Sequence, residues 1–256
     1  MDFWSVIWIL FASGTLATAV GAAPVLVLGS LNPRIANHFL AIAAGVMLAA
    51  SVYGLLPAAL DEAGHLVAPA WAAPFTLLAM ACGALAVAWT NRHVPHVHQF
   101  KGQDGGGSGR PMSVLLVTAI ALHNFPEGLS VGVTIGAQDE TLTPRIATAI
   151  AAQNMPEGLV VAMAMLGSGV GRLRAFGLGV LTGLIETAGG LLGAAAVGAA
   201  AGLLPWALAF AAGAMLYVIS EEVIPETHRR GMSGGATASL LAGFGAMVWF
   251  DALMAF

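Results

Sequence analysis

Two similar polar stretches interrupt apolar segments of this chain. The first, "ALHNFPEGLSVGV", begins at Ala121, and the second, "AAQNMPEGLVVAM", begins at Ala151. Each stretch carries an asparagine, a proline, a glutamate and a glycine in the same order. An ionised side chain in the middle of a membrane costs at least ~2.5–3.5 kcal/mol on insertion scales. Glutamates placed inside such apolar runs are therefore candidates for a functional role.

The spacing within each stretch predicts a metal-binding face. His123 lies four residues before Glu127, so the two side chains share one face of a helix. Gln153 and Glu157 repeat this arrangement. Together the stretches offer one imidazole, two carboxylates and three side-chain amides. This ligand set is typical of a divalent cation held mainly by oxygen, and we interpret the two stretches as halves of one metal site.

Each motif also carries residues that modify the helix backbone. Pro126 and Pro156 cannot donate a backbone hydrogen bond, so we expect each helix to kink and to leave a free carbonyl near the site. Gly128 and Gly158 permit close approach of a neighbouring helix. Irregular backbone at membrane depth is tolerated only where protein or a water-filled cavity surrounds it.

A further buried carboxylate is predicted in the sixth span. Glu186, in "GVLTGLIETAGG", is the obvious additional ligand. Glu127 or Glu157 could bridge two cations, so the sequence leaves open whether one metal binds or two. The alternative is a polar network that only holds the helices together, which would explain the amides better than three carboxylates.

The composition indicates a membrane protein. Of 256 residues, 58% are hydrophobic and only 9% are charged, and the mean hydropathy is +0.86. Soluble domains normally carry about 25% charged residues. We therefore predict an all-α integral membrane protein with one transmembrane domain over residues 1–256. The net charge of −4 offers no basic surface for nucleic acid, and the single cysteine, Cys82, excludes an intramolecular disulfide.

Eight segments are long and apolar enough to cross the hydrocarbon as helices, which takes about 20 residues each. The first lacks the basic start of a signal peptide and is too long for one, so we interpret it as a span that is retained. The predicted spans are 4–29, 37–60, 70–90, 112–136, 144–167, 174–202, 205–227 and 234–255.

The basic residues predict the orientation of these spans. All but one fall in the odd-numbered loops: Arg34, Arg92, Lys101, Arg110, Arg172, Arg174, Arg229 and Arg230. Arg145 is the exception. Because lysine and arginine favour the cytoplasmic side, the odd loops face the cytoplasm and both termini face outward. The outer loops are predicted to carry Asp61, Glu62, Asp139 and Glu140, which either concentrate cations at an entrance or merely solvate the loops.

The polar loop 91–111 is the longest. Its "GQDGGGSG" half predicts a flexible cytoplasmic linker. Its first half carries His93, His96 and His98, which either form a weak accessory metal site or have no role in metal binding.

At these residues the chain resembles the ZIP (Zrt/Irt-like) family of metal transporters, and within it the bacterial GufA-type branch. The motifs "HNFPEG" and "QNMPEG" in adjacent spans carry the resemblance, and the eight spans extend it over the whole chain. The resemblance implies a 3+2+3 fold, with spans 1–3 and 6–8 as inverted repeats around spans 4 and 5. It also implies a homodimer in the bacterial inner membrane that moves divalent transition metals, chiefly zinc, toward the cytoplasm.

The resemblance further implies two metal positions and an exit. The first position would be formed by His123, Glu127, Gln153 and Glu157. The second would be formed by Asn124, Asn154 and Glu186, with the two motif glutamates shared. Relatives can have an aspartate in place of Asn154, so the amide here removes one negative charge. The segment "SEEVIPETH" implies an exit lined by Glu221, Glu222, Glu226 and His228.

These features predict a transporter that works by alternating access, with Zn²⁺, Cd²⁺, Fe²⁺ or Mn²⁺ as bound substrate. The lack of a thiolate near the site argues against Cu⁺. One alternative is an intramembrane metal-dependent hydrolase, although the chain has neither H-E-x-x-H nor G-x-S-x-G. A passive channel or an exporter is another, because the ligands do not fix direction. A sensor or scaffold would need a soluble output domain, which the sequence does not suggest.

Overall fold

The computed structural model describes residues 1–94, 96–98, 102–104, 112–228 and 233–254. In these residues eight long helical segments follow one another, which confirms the predicted all-helical fold class. Seven of them are long and apolar enough to cross a membrane by length and composition, and α4 is a further helix of 25 residues. The segments are α1 Phe3–Leu26, α2 Pro33–Leu66, α3 Pro69–His93, α4 Met112–Gly136, α5 Leu142–Gly167, α6 Arg172–Ala199, α7 Ala201–His228 and α8 Ser233–Met254.

Three of these segments contain a π-helical stretch, which the sequence did not lead us to expect. In α1 it is Phe11–Leu16, between α-helical Phe3–Leu10 and Ala17–Ala22, and a 3₁₀ turn, Ala23–Leu26, follows. In α2 it is Ala50–Leu55, between α-helical Pro33–Ala49 and Leu56–Leu66. In α7 it is Ile219–Val223, after a 3₁₀ turn, Ala201–Leu203, and α-helical Leu204–Val218, and before Ile224–His228. Such stretches are rare and are frequent at functional sites.

Helix α2 is longer than predicted. It begins at Pro33, with the side chain of Asn32 accepting a hydrogen bond from the backbone N–H of Arg34, and it continues to Leu66. Asp61 and Glu62 therefore lie on the last turns of α2 and not in a loop, which corrects the prediction. The physical reason is that a polar residue does not end a helix, which can extend beyond the apolar layer.

Regular structure continues into the segment 91–111 that was predicted as a loop. Helix α3 includes His93 and ends before Pro95, because the residue preceding a proline disfavours the helical conformation. Two short antiparallel strands follow, β1 His96–His98 and β2 Gly102–Asp104, with His96 opposite Asp104. Parts of the predicted linker thus have regular structure. Lys101 and Arg110 from this loop, and Arg229 and Arg230 further along the chain, lie outside the described residues.

An aspartate, Asp139, lies just before the first turn of helix α5. The side chain of Asp139 accepts hydrogen bonds from the backbone N–H groups of Thr141 and Leu142, at 2.9 and 2.8 Å. Partial burial alone would raise the pKa of Asp139, but these hydrogen bonds lower the pKa below its ordinary value. Asp139, Asp61 and Glu62 line a cavity of about 80 Å³ beside the end of α2.

An ion pair accounts for the one basic residue that broke the charge pattern. Arg145, in the first turn of α5, donates hydrogen bonds through Nε and Nη2 to the two carboxylate oxygens of Asp251 in α8. Both side chains are only partly exposed. Arg145 therefore has its own partner within the protein, and its position need not follow the distribution of loop charges.

The helices pack in four pairs that are held by glycine. In every pair, each helix places a glycine against a backbone carbonyl of the other, so that an added Cβ would lie between 1.8 and 2.7 Å from that oxygen. The pairs are α4 with α6 (Gly128, Gly189), α1 with α5 (Gly21, Gly158), α2 with α8 (Gly45, Gly243) and α3 with α7 (Gly83, Gly213). The expectation that Gly128 and Gly158 allow close helix approach is confirmed.

These pairs combine into two groups of four helices. Helices α1, α4, α5 and α6 form the first group, and α2, α3, α7 and α8 form the second. The groups meet where α2 packs on α5 and α4 packs on α7, around a core that includes Met47, Ile146 and Met215. If α1, α2 and α3 are exchanged with α6, α7 and α8 in that order, and α4 with α5, the same four glycine-packed helix pairs result. The 3+2+3 arrangement of inverted repeats itself stays a prediction.

Candidate metal centre

A cavity of about 90 Å³ lies where α4, α5 and α7 meet. Five ionisable side chains line it: His123, Glu127, Glu157, Glu222 and Glu226. The rest of its lining is apolar, from residues such as Met47, Val160 and Val218. The volume exceeds the roughly 10–15 Å³ that one water molecule requires. The structure thus brings residues of both motifs and of the predicted exit to one cavity whose lining is otherwise apolar.

Glu127 is the most deeply buried of these acids. Its exposed fraction is 0%, and neither carboxylate oxygen has a hydrogen-bond partner among the described residues. Its carboxyl interacts electrostatically with Glu157 and Glu186, and it lies beside Gln153. The amide of Gln153 is equally buried, and both of its polar atoms lack a hydrogen bond within the described part of the chain.

Such an arrangement is costly without a cation. A buried carboxylate that lacks a partner loses its hydration without compensation, and neighbouring carboxylates repel one another. Carboxylate and amide oxygens are ligands that divalent cations accept in proteins. The donor set around Glu127 and Gln153 therefore fits a divalent cation better than it fits a network that only pins helices.

The described side chains do not yet converge on one point. No three His, Cys, Asp or Glu side chains in this part of the chain lie close enough together to hold a metal ion. Two observations explain why. Part of the predicted ligand set is amide, from Gln153 and the buried Asn124, whose Oδ1 has no described partner. In addition, the imidazole of His123 contacts the carboxylate of Glu222 in α7.

Glu222 links three helices at the cavity. One carboxylate oxygen contacts Nε2 of His123 in α4, and the other accepts a hydrogen bond from Nδ2 of Asn91 in α3. Glu222 itself lies in the π-helical stretch of α7 and is buried. The contact joins a residue predicted for the first metal position to one predicted for the exit.

Glu186 lies on the other side of the motif pair, against α1. The side-chain nitrogen of Asn154 donates to both of its carboxylate oxygens at 2.9 Å, and to the backbone carbonyl of Ser13 at 2.8 Å. Asn154 and Glu186 are each 1% exposed. Two residues predicted for the second metal position are therefore in direct contact with each other.

The remaining predicted exit residues lie in different surroundings. Glu226 is buried and lines the cavity. Glu221 is exposed and is not part of the described cavity lining. The imidazole of His228 hydrogen-bonds to Thr237 of α8 through Nε2, at 3.0 Å, and to the carbonyl of Ile224 through Nδ1. His228 thus connects the end of α7 to α8 at this point.

Of the three histidines predicted as an accessory site, the structure describes the side chain of His93. The ring of His93 packs on Trp89, with centroids 4.8 Å apart, and Nδ1 contacts the carbonyl of Trp89 at 2.8 Å. His96 and His98 lie at the two ends of β1, and their side chains are outside the described atoms. An accessory metal site stays a prediction.

Two contributors to the centre were missed from the sequence. Ser13 takes part through its carbonyl, which no sequence pattern reveals, although "SGT" within an apolar run marks irregular backbone. Asn91 was assigned to a loop because it begins the run "NRH", whereas it lies in the last turns of α3. A polar residue one turn inside a helix end is the signal that could have identified it.

Comparison with known proteins gives consistent results. A family model described as ZIP Zinc transporter matches residues 101–251. The chain is 41% identical over 237 residues to zinc transporter GufA of Myxococcus xanthus, covering 89% of this chain and 91% of that protein. It is 40% identical over 242 residues to zinc transporter ZIPB of Bordetella bronchiseptica, covering 94% and 78%. It is 33% identical over 252 residues to zinc transporter ZupT of Chlorobium phaeovibrioides, covering 91% of each chain.

Proposed function

Because this chain belongs to the ZIP zinc-transporter family, we propose that it carries divalent transition-metal cations, chiefly zinc, across the cytoplasmic membrane into the cytoplasm. The family assignment confirms the resemblance found in the sequence, including the GufA-type branch. The observation that carries the proposal is the buried carboxylate of Glu127, unpartnered among the described residues, at a cavity shared with Glu157 and His123.

The proposed first metal position lies between α4 and α5. His123 and Glu127 supply ligands from one motif, and Gln153 and Glu157 supply them from the other. All four belong to the first group of helices, and three of them line the cavity. Closing of the site around a cation requires His123 to leave Glu222, which its position at the cavity edge permits.

The proposed release path continues through α7. Glu222 and Glu226 line the same cavity as the first position and lie in the other group of helices. A cation that leaves Glu127 and Glu157 would meet these two carboxylates next. Movement of one helix group against the other supplies the alternating access. His228 and the exposed Glu221 would lie further along this path.

An enzymatic role has less support. The family and the relatives matched here are named as transporters, and a hydrolytic zinc site needs an open coordination position beside a positioned base. Loss of a metal-dependent peptidase activity in Glu127→Ala would be the finding that favours the hydrolase. The proposal also includes a homodimer whose termini face outward. It further includes Cd²⁺, Fe²⁺ or Mn²⁺ as additional substrates.

Uptake into proteoliposomes tests the proposed function. The protein is reconstituted, an inward gradient of Zn²⁺, Cd²⁺, Fe²⁺ or Mn²⁺ is imposed, and accumulation is compared with that of Glu157→Ala. We expect zinc uptake by the native chain and at least about a tenfold loss in the variant, because a ligand is removed. A variant that carried every metal at the native rate would show that the site is wrongly assigned.

Uptake should also slow as the solution becomes acidic. Imidazole and carboxylates bind metal only when deprotonated, so protons compete with the cation for His123 and for the motif glutamates. The rate of zinc uptake is measured from about pH 7.5 to about pH 4, which spans the ordinary pKa values of histidine and glutamate. A rate that stayed constant well below the glutamate range would refute this competition.

A further inference from the structure

The side-chain amide nitrogen of Asn154 is surrounded by oxygen atoms, as a bound cation would be. The side-chain nitrogen of Asn154 lies 2.8 Å from the carbonyl oxygen of Ser13 and 2.9 Å from each carboxylate oxygen of Glu186. The carbonyl oxygen of Ser13 can only accept a hydrogen bond, so the nitrogen of the amide, and not its oxygen, must face it. Two hydrogens are shared among three acceptors. The geometry is that of a small positive centre held by a carboxylate and a backbone carbonyl.

The three oxygens are held in place by helix packing. Gly14 allows α1 to approach α6 so closely that an added Cβ would lie 3.1 Å from Cδ of Glu186. The hydroxyls of Thr15 and Thr187 hydrogen-bond across the same crossing at 2.8 Å. Because the contact between α1 and α6 positions the oxygens, they need not move apart when residue 154 is changed.

Burial and charge then decide what this position accepts. Asn154 and Glu186 are each 1% exposed, so any cation here would be stripped of most of its water. A cation would also have to displace the amide nitrogen and its three hydrogen bonds. Among the described hydrogen bonds, Glu186 is the only carboxylate that contacts this nitrogen. The affinity of oxygen sites for divalent cations rises with the number of charged ligands.

We propose that the amide nitrogen of Asn154 occupies the place of a second divalent cation, so that the native chain holds one zinc ion and an aspartate at position 154 would open a second site. The ligands of that second site would be Glu186, the carbonyl of Ser13 and the new carboxylate. The inference rests on the proposed function, because it takes zinc as the cation that binds between α4 and α5.

Zinc stoichiometry of the purified full-length protein tests the proposal. The native chain and Asn154→Asp are incubated with zinc and desalted, and metal per chain is measured by mass spectrometry. We expect one more zinc per chain in Asn154→Asp than in the native protein. We also expect this extra zinc to be absent from the double variant Asn154→Asp with Glu186→Gln. A folded Asn154→Asp with the native zinc content would overturn the proposal.

A second variant keeps the test valid if Asn154→Asp does not fold. In the native chain Glu186 is engaged by an amide, so Glu186→Gln alone should leave the zinc content unchanged. Loss of one zinc per chain in Glu186→Gln would overturn the proposal. The first position is checked separately with Glu157→Ala, since zinc bound there depends on Glu157. If Glu157→Ala bound as much zinc as the native protein, the result would contradict the proposed function and not the assignment of Asn154.

Discussion

Replacing Glu127 by glutamine should reduce zinc uptake by at least about 100-fold while the protein stays folded. The expected loss exceeds the roughly 10–100-fold that changes to outer-shell partners cost, because the variant removes a charged ligand. Glutamine keeps the volume of the side chain and removes the charge from a position with 0% exposure. Uptake is measured in proteoliposomes, and folding by thermal unfolding in detergent.

Glu127→Gln also distinguishes a role of Glu127 in metal transport from a purely structural role. If Glu127 served only to hold helices together, an amide could make the same contacts, and a neutral side chain would be cheaper to bury. Uptake would then persist at the native rate, which would contradict the metal site. The matched variant Gln153→Glu restores the total charge at the neighbouring position, and a partial recovery of uptake in the double variant would support a shared site.

A second large effect is expected when Gly128, at the crossing of α4 and α6, is replaced by alanine. A Cβ added at Gly128 would lie 1.8 Å from the carbonyl oxygen of Glu186. Neither the new Cβ nor the carbonyl oxygen can move away unless the backbone of its helix moves. Gly128→Ala must therefore separate α4 from α6. We expect the free energy of unfolding to fall by about 3 kcal/mol, the upper part of the usual range for overpacking, and uptake to be lost. Thermal unfolding and the yield of monodisperse protein measure the effect.

Gly177 provides a control for this prediction. It lies in α6, and an added Cβ would meet nothing within 4 Å. Gly177→Ala should leave stability unchanged or raise it, because alanine favours a helix by about 0.5–1 kcal/mol relative to glycine. Equal losses of stability in Gly128→Ala and Gly177→Ala would show that close packing of α4 on α6 is not the cause.

The sequence predicted much of this fold because apolar length and buried charge are strong local signals. The eight helices and the shared cavity of Glu127 and Glu157 follow from patterns within about thirty residues. The predicted end of α2 was wrong because Asp61 and Glu62 were interpreted as loop residues, whereas a helix can carry charged residues beyond the apolar layer. The last residues of α3, up to His93, were missed for the same reason.

Contacts between distant segments could not be predicted in this way. Glu222 contacts His123, which is 99 residues away, and the carbonyl of Ser13 contacts Asn154, which is 141 residues away. Neither contact leaves a repeat or a spacing in the chain. The π-helical stretches in α2 and α7 do have a local sign, because each ends two residues before a proline, Pro57 or Pro225. The missing N–H of proline leaves a carbonyl that a wider turn can accommodate.

The glycine pairs have a consequence for how an ion would travel. Among the described glycines, every approach to a foreign carbonyl lies within a group of four helices, and the contact of Gly54 between the groups meets only the tip of the Ile146 side chain. Sliding along that boundary would leave all four backbone crossings intact. Glu127 and Glu157 belong to one group and Glu222 to the other. A bound cation would therefore move together with the helices that carry its ligands, and the parting of His123 from Glu222 would free the imidazole to join those ligands.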